Sequence, residues 1–179
     1  VFDDEAEMEA FLAQVCTMDW HMDHDRGVSF AENAARLKAR HPDSAVLIDL
    51  WGERRGEMAP DRVPGVAPMV EALSAAGIPL YGLSNMPNGF FDELAARFPE
   101  LRLLRQTVVS AELGVLKPDP AIYLALIERT GLQPDTTLFV DDSAKNVEAA
   151  RKLGFIAHHF TGAEELRSTL QAAGFAVIA

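Results

Sequence analysis

The feature that most constrains this chain is a change of rhythm near Pro64. Before it, apolar residues recur only with helical spacing; after it, short apolar runs alternate with helical stretches. In the first part, Asp4 followed by Glu7 reads as a capping box, and Met8, Phe11, Leu12 and Val15 then fall on one helical face. Ser29 and Glu32 form a second box, opening a helix that runs towards His41-Pro42. Asp43 or Ser44 can cap a third helix carrying Val46, Leu47, Leu50 and Trp51. Residues 19–27 read as a polar loop around Trp20 and Met22, and no strand pattern occurs in this region.

Beyond Pro64 the pattern predicts a helix over 66–76, stopped by Gly77, and then a strand over 78–83. A helix over 89–98 and a strand over 107–109 follow. Asp119-Pro120 caps and opens a helix reaching Thr130. A strand over 137–140, a helix over 144–153, a strand over 155–158 and a helix over 163–173 complete the series. Strands alternating with helices imply a parallel sheet covered on both faces. The expected fold is therefore α/β. Residues 65–179 would form a Rossmann-like doubly wound core and residues 1–64 a small α-helical cap.

Function classes narrow next. A net charge of −11 argues against a broad basic face for nucleic acid or anionic membrane, while leaving room for a small anionic substrate in a locally positive pocket. The single cysteine, Cys16, falls in the apolar seam of the first helix and reads as a small core residue; a reducing, cytoplasmic setting is expected. No apolar run approaches the roughly 20 residues of a membrane-spanning helix.

In open parallel sheets, ligands sit beyond the carboxyl ends of the strands. Ser84 and Asn85 follow the first predicted strand. Ser110 and a loop to Lys117-Pro118 follow the second, and Asp141-Asp142-Ser143 the third. Singly, each reads as turn or cap chemistry. Together they bring a hydroxyl, an ammonium and a carboxylate pair to one rim, a set suited to phosphoryl transfer. Ser84 would donate to a phosphate oxygen and Lys117 would balance anionic charge. Asp141 and Asp142 offer the hard oxygens that Mg²⁺ uses. In the helical region, Trp20 and Arg26 are the expected substrate-selecting residues, by packing and a charge-assisted contact. His21 and His24 are expected to be a surface pair, His158 and His159 rim residues, and Phe90 and Phe91 either pocket border or core.

Leu83-Ser84-Asn85, KPDPAIY at 117–123 and FVDDSAKNVEAAR at 139–151 resemble the second, third and fourth motifs of the haloacid-dehalogenase superfamily. The resemblance covers the whole chain, because a helical cap inserted after the first core strand typifies one subgroup. The surroundings of Leu83-Ser84-Asn85 and Phe98-Pro99-Glu100 are similar to the branch holding sugar-phosphate phosphatases and epoxide-hydrolase N-terminal domains. It implies a Mg²⁺-dependent phosphatase acting on a small phosphomonoester through an aspartyl-phosphate. Ser84, Asn85 and Lys117 would bind the transferring group, and Asp141 with Asp142 the metal.

One element of the superfamily pattern is expected to be missing. The nucleophile should be an aspartate ending the first core strand, yet only Val1 and Phe2 precede Asp3, and a capped helix follows directly. Asp3 and Asp4 therefore read as the start of the cap helix. The first strand would lie outside this sequence, in a protein longer at its N-terminus. Three rivals stand beside the phosphatase. A haloacid dehalogenase would work without metal and typically lacks the Asp141-Asp142 acids. A phosphoacceptor receiver domain would place its acids before its lysine, the reverse of the order here. A non-catalytic phosphatase-like binding protein would follow if the nucleophile strand were truly absent.

Overall fold

The computed structural model describes residue 2, residues 4–59 and residues 61–175. Asp3 lies outside the described residues. Four helices come first: α1 (Glu5–Gln14), α2 (Met18–Asp25), α3 (Phe30–Arg40) and α4 (Ala45–Glu53). The Asp4 carboxylate accepts from the Glu7 N–H at 2.8 Å, and the Ser29 hydroxyl from the Glu32 N–H at 3.2 Å, so both expected caps form. The third does not: α4 follows a 3₁₀ turn, Pro42–Ser44, and Ser44 makes no side-chain cap bond.

The stretch expected as a polar loop is the helix α2. Thr17 caps it, its hydroxyl accepting from the Trp20 N–H at 3.3 Å. One turn apart on α2, Trp20 and His24 meet edge to face, with ring centroids 4.6 Å apart. Their polar neighbours disguise a helix whose inner face is aromatic. Trp20 joins Phe11, Ala34, Leu37 and Ile48 in the cap core. Its indole N–H donates to the Asn33 carbonyl at 3.3 Å, and the Asn33 amide returns a bond to the Trp20 carbonyl at 2.9 Å. Cys16 packs in the same core just after α1, and burial pushes its thiol up to about 12, which suits packing and not nucleophilic attack.

The core region follows the predicted alternation: α5 (Val66–Ala75), β1 (Tyr81–Ser84), α6 (Phe90–Arg97), β2 (Gln106–Val109) and, after the short helix α7 (Ser110–Leu113) where only a loop was expected, α8 (Pro120–Thr130). Then come β3 (Leu138–Asp141), α9 (Ala144–Lys152), β4 (Ile156–His159) and α10 (Ala163–Ala172). β1 pairs with β2 and β3 with β4, both parallel, with Leu83 opposite Val108 and Phe139 opposite Ala157. Among the described residues the two pairs form separate two-stranded sheets, so one edge of β1 and one of β3 carry no ladder.

Helices bind the pairs together. On one face, Ile122, Tyr123 and Leu126 of α8 share a buried cluster with Val108 of β2, Phe139 of β3 and Ala150 of α9. On the other, Met69 of α5 and Leu166 and Leu170 of α10 close over Leu138. This two-sided cover gives β3 its alternation, Phe139 to one layer and Leu138 to the other. Among the described residues no helix is long and apolar enough to cross a membrane.

The cap meets the core closely at one turn. Gly27, at φ +96°, lies where a Cβ would come within 2.6 Å of the Ala111 carbonyl oxygen. Only glycine combines that left-handed backbone with that approach.

Candidate functional site

The ends of β1 and β3 converge on one side chain. The Lys117 ammonium donates to the Leu83 carbonyl at 2.8 Å and to Asp141 Oδ2 at 2.7 Å. Both partners of the ion pair are buried, with side chains 11% and 4% exposed. Two charges held this deep persist because each has further hydrogen bonds. Asp141 Oδ1 accepts from the Ser143 N–H and from the Asn146 amide, each at 2.9 Å. Behind them, the buried Tyr123 hydroxyl donates to the Asn146 carbonyl at 3.0 Å, tying α8 to the start of α9. Burial, with a smaller push from the Asp141 carboxylate, raises the Tyr123 phenol above its ordinary range and keeps it a donor.

Each expected site residue has a definite position. Ser84 ends β1, next to the carbonyl that Lys117 holds. Asn85 was expected on the substrate, but both of its amide atoms grip the Lys117 backbone. Its Nδ2 donates to the Lys117 carbonyl at 3.0 Å and its Oδ1 accepts from the Lys117 N–H at 2.7 Å. It positions the lysine. Asp142 is exposed, and its carbonyl receives the His159 Nε2–H at 2.9 Å. Lys117 and Asp141 thus form the buried centre, Ser84 borders it, and the Asp142 side chain stands outside.

Between cap and core lies a cavity of about 400 Å³. Its core wall is the loop from Asn85 to Asn88, and its cap walls include Phe30, Trp51 and Arg55. Trp20 and Arg26, expected as substrate contacts, are not among its lining residues. Trp20 is only 4% exposed because the cap core needs its bulk, and Arg26 is exposed and paired with Asp23 at 3.4 Å. Of the phenylalanine pair, Phe90 reaches the cavity and Phe91 does not.

His24 and Asp25, at the end of α2, do line it. The expected surface histidine is in fact buried. Burial first, and His21 second, lower the His24 imidazole to about 4, so it is neutral at pH 7. The Asn33 amide lies 3.2 Å from His24 Nε2, which must accept, leaving the proton on Nδ1. Burial raises the Asp25 carboxyl above the usual carboxylate range. The Asp25 carbonyl accepts from the buried Ser110 hydroxyl at 2.7 Å, and the Ser110 Oγ in turn accepts from the Met86 N–H at 3.0 Å. Ser110 therefore fastens the cap wall of the cavity to its core wall. The Thr17 cap and the Trp20–His24 spacing were the sequence signals for this wall. Arg55 had none, since only the packing of cap on core brings it to the cavity.

The fold is α/β, with a lysine–carboxylate pair where its parallel strands end. The chain matches the haloacid dehalogenase-like hydrolase family over residues 4–154 and belongs to it. It is 30% identical over 112 residues to phosphoglycolate phosphatase of Escherichia coli K12, covering 61% of this chain and 44% of that protein. The chain spans less than half the length of that curated relative. A predicted HAD-like hydrolase from Porphyromonas gingivalis superposes with a TM-score of 0.71 at 22% identity, covering 94% of this chain and 85% of that one. A HAD-family enzyme from Bacteroides thetaiotaomicron, solved with magnesium and inorganic phosphate, superposes at 0.62 and 19% identity, covering 89% and 87%.

Proposed function

We propose that the protein is a magnesium-dependent phosphatase of small phosphomonoesters, working through an aspartyl-phosphate. The observation that carries this reading is the Lys117 ammonium, held at 2.7 Å from buried Asp141 where two parallel strands end. A fixed cation at that rim stabilises the negative charge of a transferring phosphoryl group, and Ser84 adds a hydroxyl donor. The nucleophile would be an aspartate on a strand that pairs with the free edges of β1 and β3. The family membership and the phosphatase relative support the same reaction class.

The residues present suit magnesium in their chemistry. Among the described residues no three ligating side chains cluster, but Mg²⁺ commonly takes one or two protein carboxylates and completes its shell with water and substrate phosphate. Asp141 would hold it from the buried centre, and Asp142, exposed beside it, would have to turn inward to join. Three hydrogen bonds fix the Asp141 carboxylate and leave it a lone pair to give. When bound, the ion supplies Lewis-acid polarisation of the phosphoryl oxygens. The Bacteroides fold relative was solved with magnesium and phosphate.

Phosphate release by the full-length protein tests the proposal. Chelator-sensitive turnover is expected, with a loss of about 100-fold or more in Asp141→Asn, which keeps the shape of the side chain and removes its charge. Undiminished turnover in that variant, or in chelator, would refute it.

A further inference from the structure

The cavity between cap and core says more about the ester than the phosphoryl centre does. Its core wall, Asn85 to Asn88, directly follows Ser84 in the chain, so the space opens beside the end of β1. At about 400 Å³ it has the size of an ordinary small-molecule site. A two-carbon leaving group would occupy a small part of it.

The walls are chiefly apolar: Val28, Phe30, Trp51, Met58, Met86 and Phe90. Phe30 and Trp51 present nearly parallel rings, 8° apart in plane with centroids at 6.3 Å. Parallel ring faces favour a flat apolar guest.

Charge points the same way. Arg55 is the one lysine or arginine among the described lining residues, and it is already committed. Its guanidinium is paired with Glu93 through both Nε and Nη2 and lies 5.7 Å over the Phe90 ring. His24 is neutral, and Asp25 offers oxygen atoms and no positive charge in either protonation state. Among the described lining residues no further lysine or arginine stands ready to meet an anionic leaving group, and burying such a charge unpaired is costly.

We infer that the substrate is a phosphomonoester of a bulky, uncharged, apolar alcohol, aryl groups included, whose leaving group sits between Phe30, Trp51 and the loop after β1. The inference rests on the phosphatase reading above and names the substrate class of that site. It separates this chain from small anionic esters such as phosphoglycolate.

The test compares kcat/KM of the full-length protein, with Mg²⁺, for 2-naphthyl phosphate, phosphoglycolate and acetyl phosphate. Acetyl phosphate is too small to depend on the cavity and reports the phosphoryl centre alone. A preference of about tenfold or more for the naphthyl ester over phosphoglycolate is expected, the scale that an apolar pocket achieves. Met58→Arg, at a half-exposed position on the cavity wall, adds the missing cation and should move that ratio about tenfold towards phosphoglycolate. Equal or better use of phosphoglycolate by the unaltered protein would overturn the inference and leave the phosphatase reading standing. An unmoved ratio in folded Met58→Arg would also overturn it. Failure to release phosphate from any of the three would overturn both readings.

Discussion

The cap and the core solve the same problem, holding a wall of one cavity in place, by opposite means. The cap relies on apolar contact: Trp20 packs against Trp51 at 4.9 Å and His24 at 4.6 Å, and the bond from its indole N–H to the Asn33 carbonyl fixes its rotation. The core relies on charge: an ammonium and a buried carboxylate that touch each other and three further polar groups. Aromatic packing tolerates small displacements, so the cap can be re-lined for different guests. A buried ion pair tolerates none, because a lost contact leaves an unpaired charge in a poorly screened place.

Lys117→Met is the strongest way to break that contrast. It removes the ammonium and strands Asp141, with an expected destabilisation of about 3–5 kcal/mol by denaturant titration, together with loss of turnover. A loss below about 1 kcal/mol would show that the pair is not the structural lock of the core. Trp20→Ala attacks the other region. Deleting an indole that is 4% exposed should cost about 3 kcal/mol, with amide exchange accelerating in α2 and α3 and little change around Asp141. Equal acceleration in α8 and α9 would mean that the two regions unfold as one, and the comparison would collapse.

Those two residues also mark how far the sequence could be read. Lys117 and Asp141 were legible because strand ends, Asp-Pro and Asp-Asp-Ser are local signals, and a parallel sheet brings strand ends to one rim. The helices after Pro64 were legible for the same reason, down to the stops at Gly77 and Gly154. Trp20 misled. Amid Asp19, His21, Asp23 and His24 it looks like a lone aromatic on a polar loop, and only the packing of α3 and α4 makes it central. The hydrogen-bonding capacity of Asn85 is visible in the sequence, whereas its use on the Lys117 backbone is not. Arg55 and Trp51 reach the cavity through contacts between distant segments, which no periodicity encodes.

The smallest expected effect separates the two regions by pH. His24 titrates near 4 in the folded cap against 6.5 in the unfolded chain, so between those values the unfolded state binds more protons. Cap stability is therefore complete above about pH 6.5, falls as the pH drops through 6.5 and levels off below about 4. From pH 7 to pH 6 the loss is less than about 1 kcal/mol. Asp25, whose carboxyl burial raises, contributes with the opposite sign: its stabilising term declines as pH rises above its unfolded value. The comparison that isolates His24 is thus between the unaltered protein and His24→Gln, which keeps an acceptor for the Asn33 amide. Amide exchange in α2 and α3 should accelerate from pH 7 to pH 6, after correction for intrinsic exchange rates, in the unaltered protein and less so in the variant. If the same correction in α8 and α9 removed all difference between the two proteins, the proton would be acting on the cap alone. If the variant kept the full acid sensitivity of α2, the buried imidazole would not be its source.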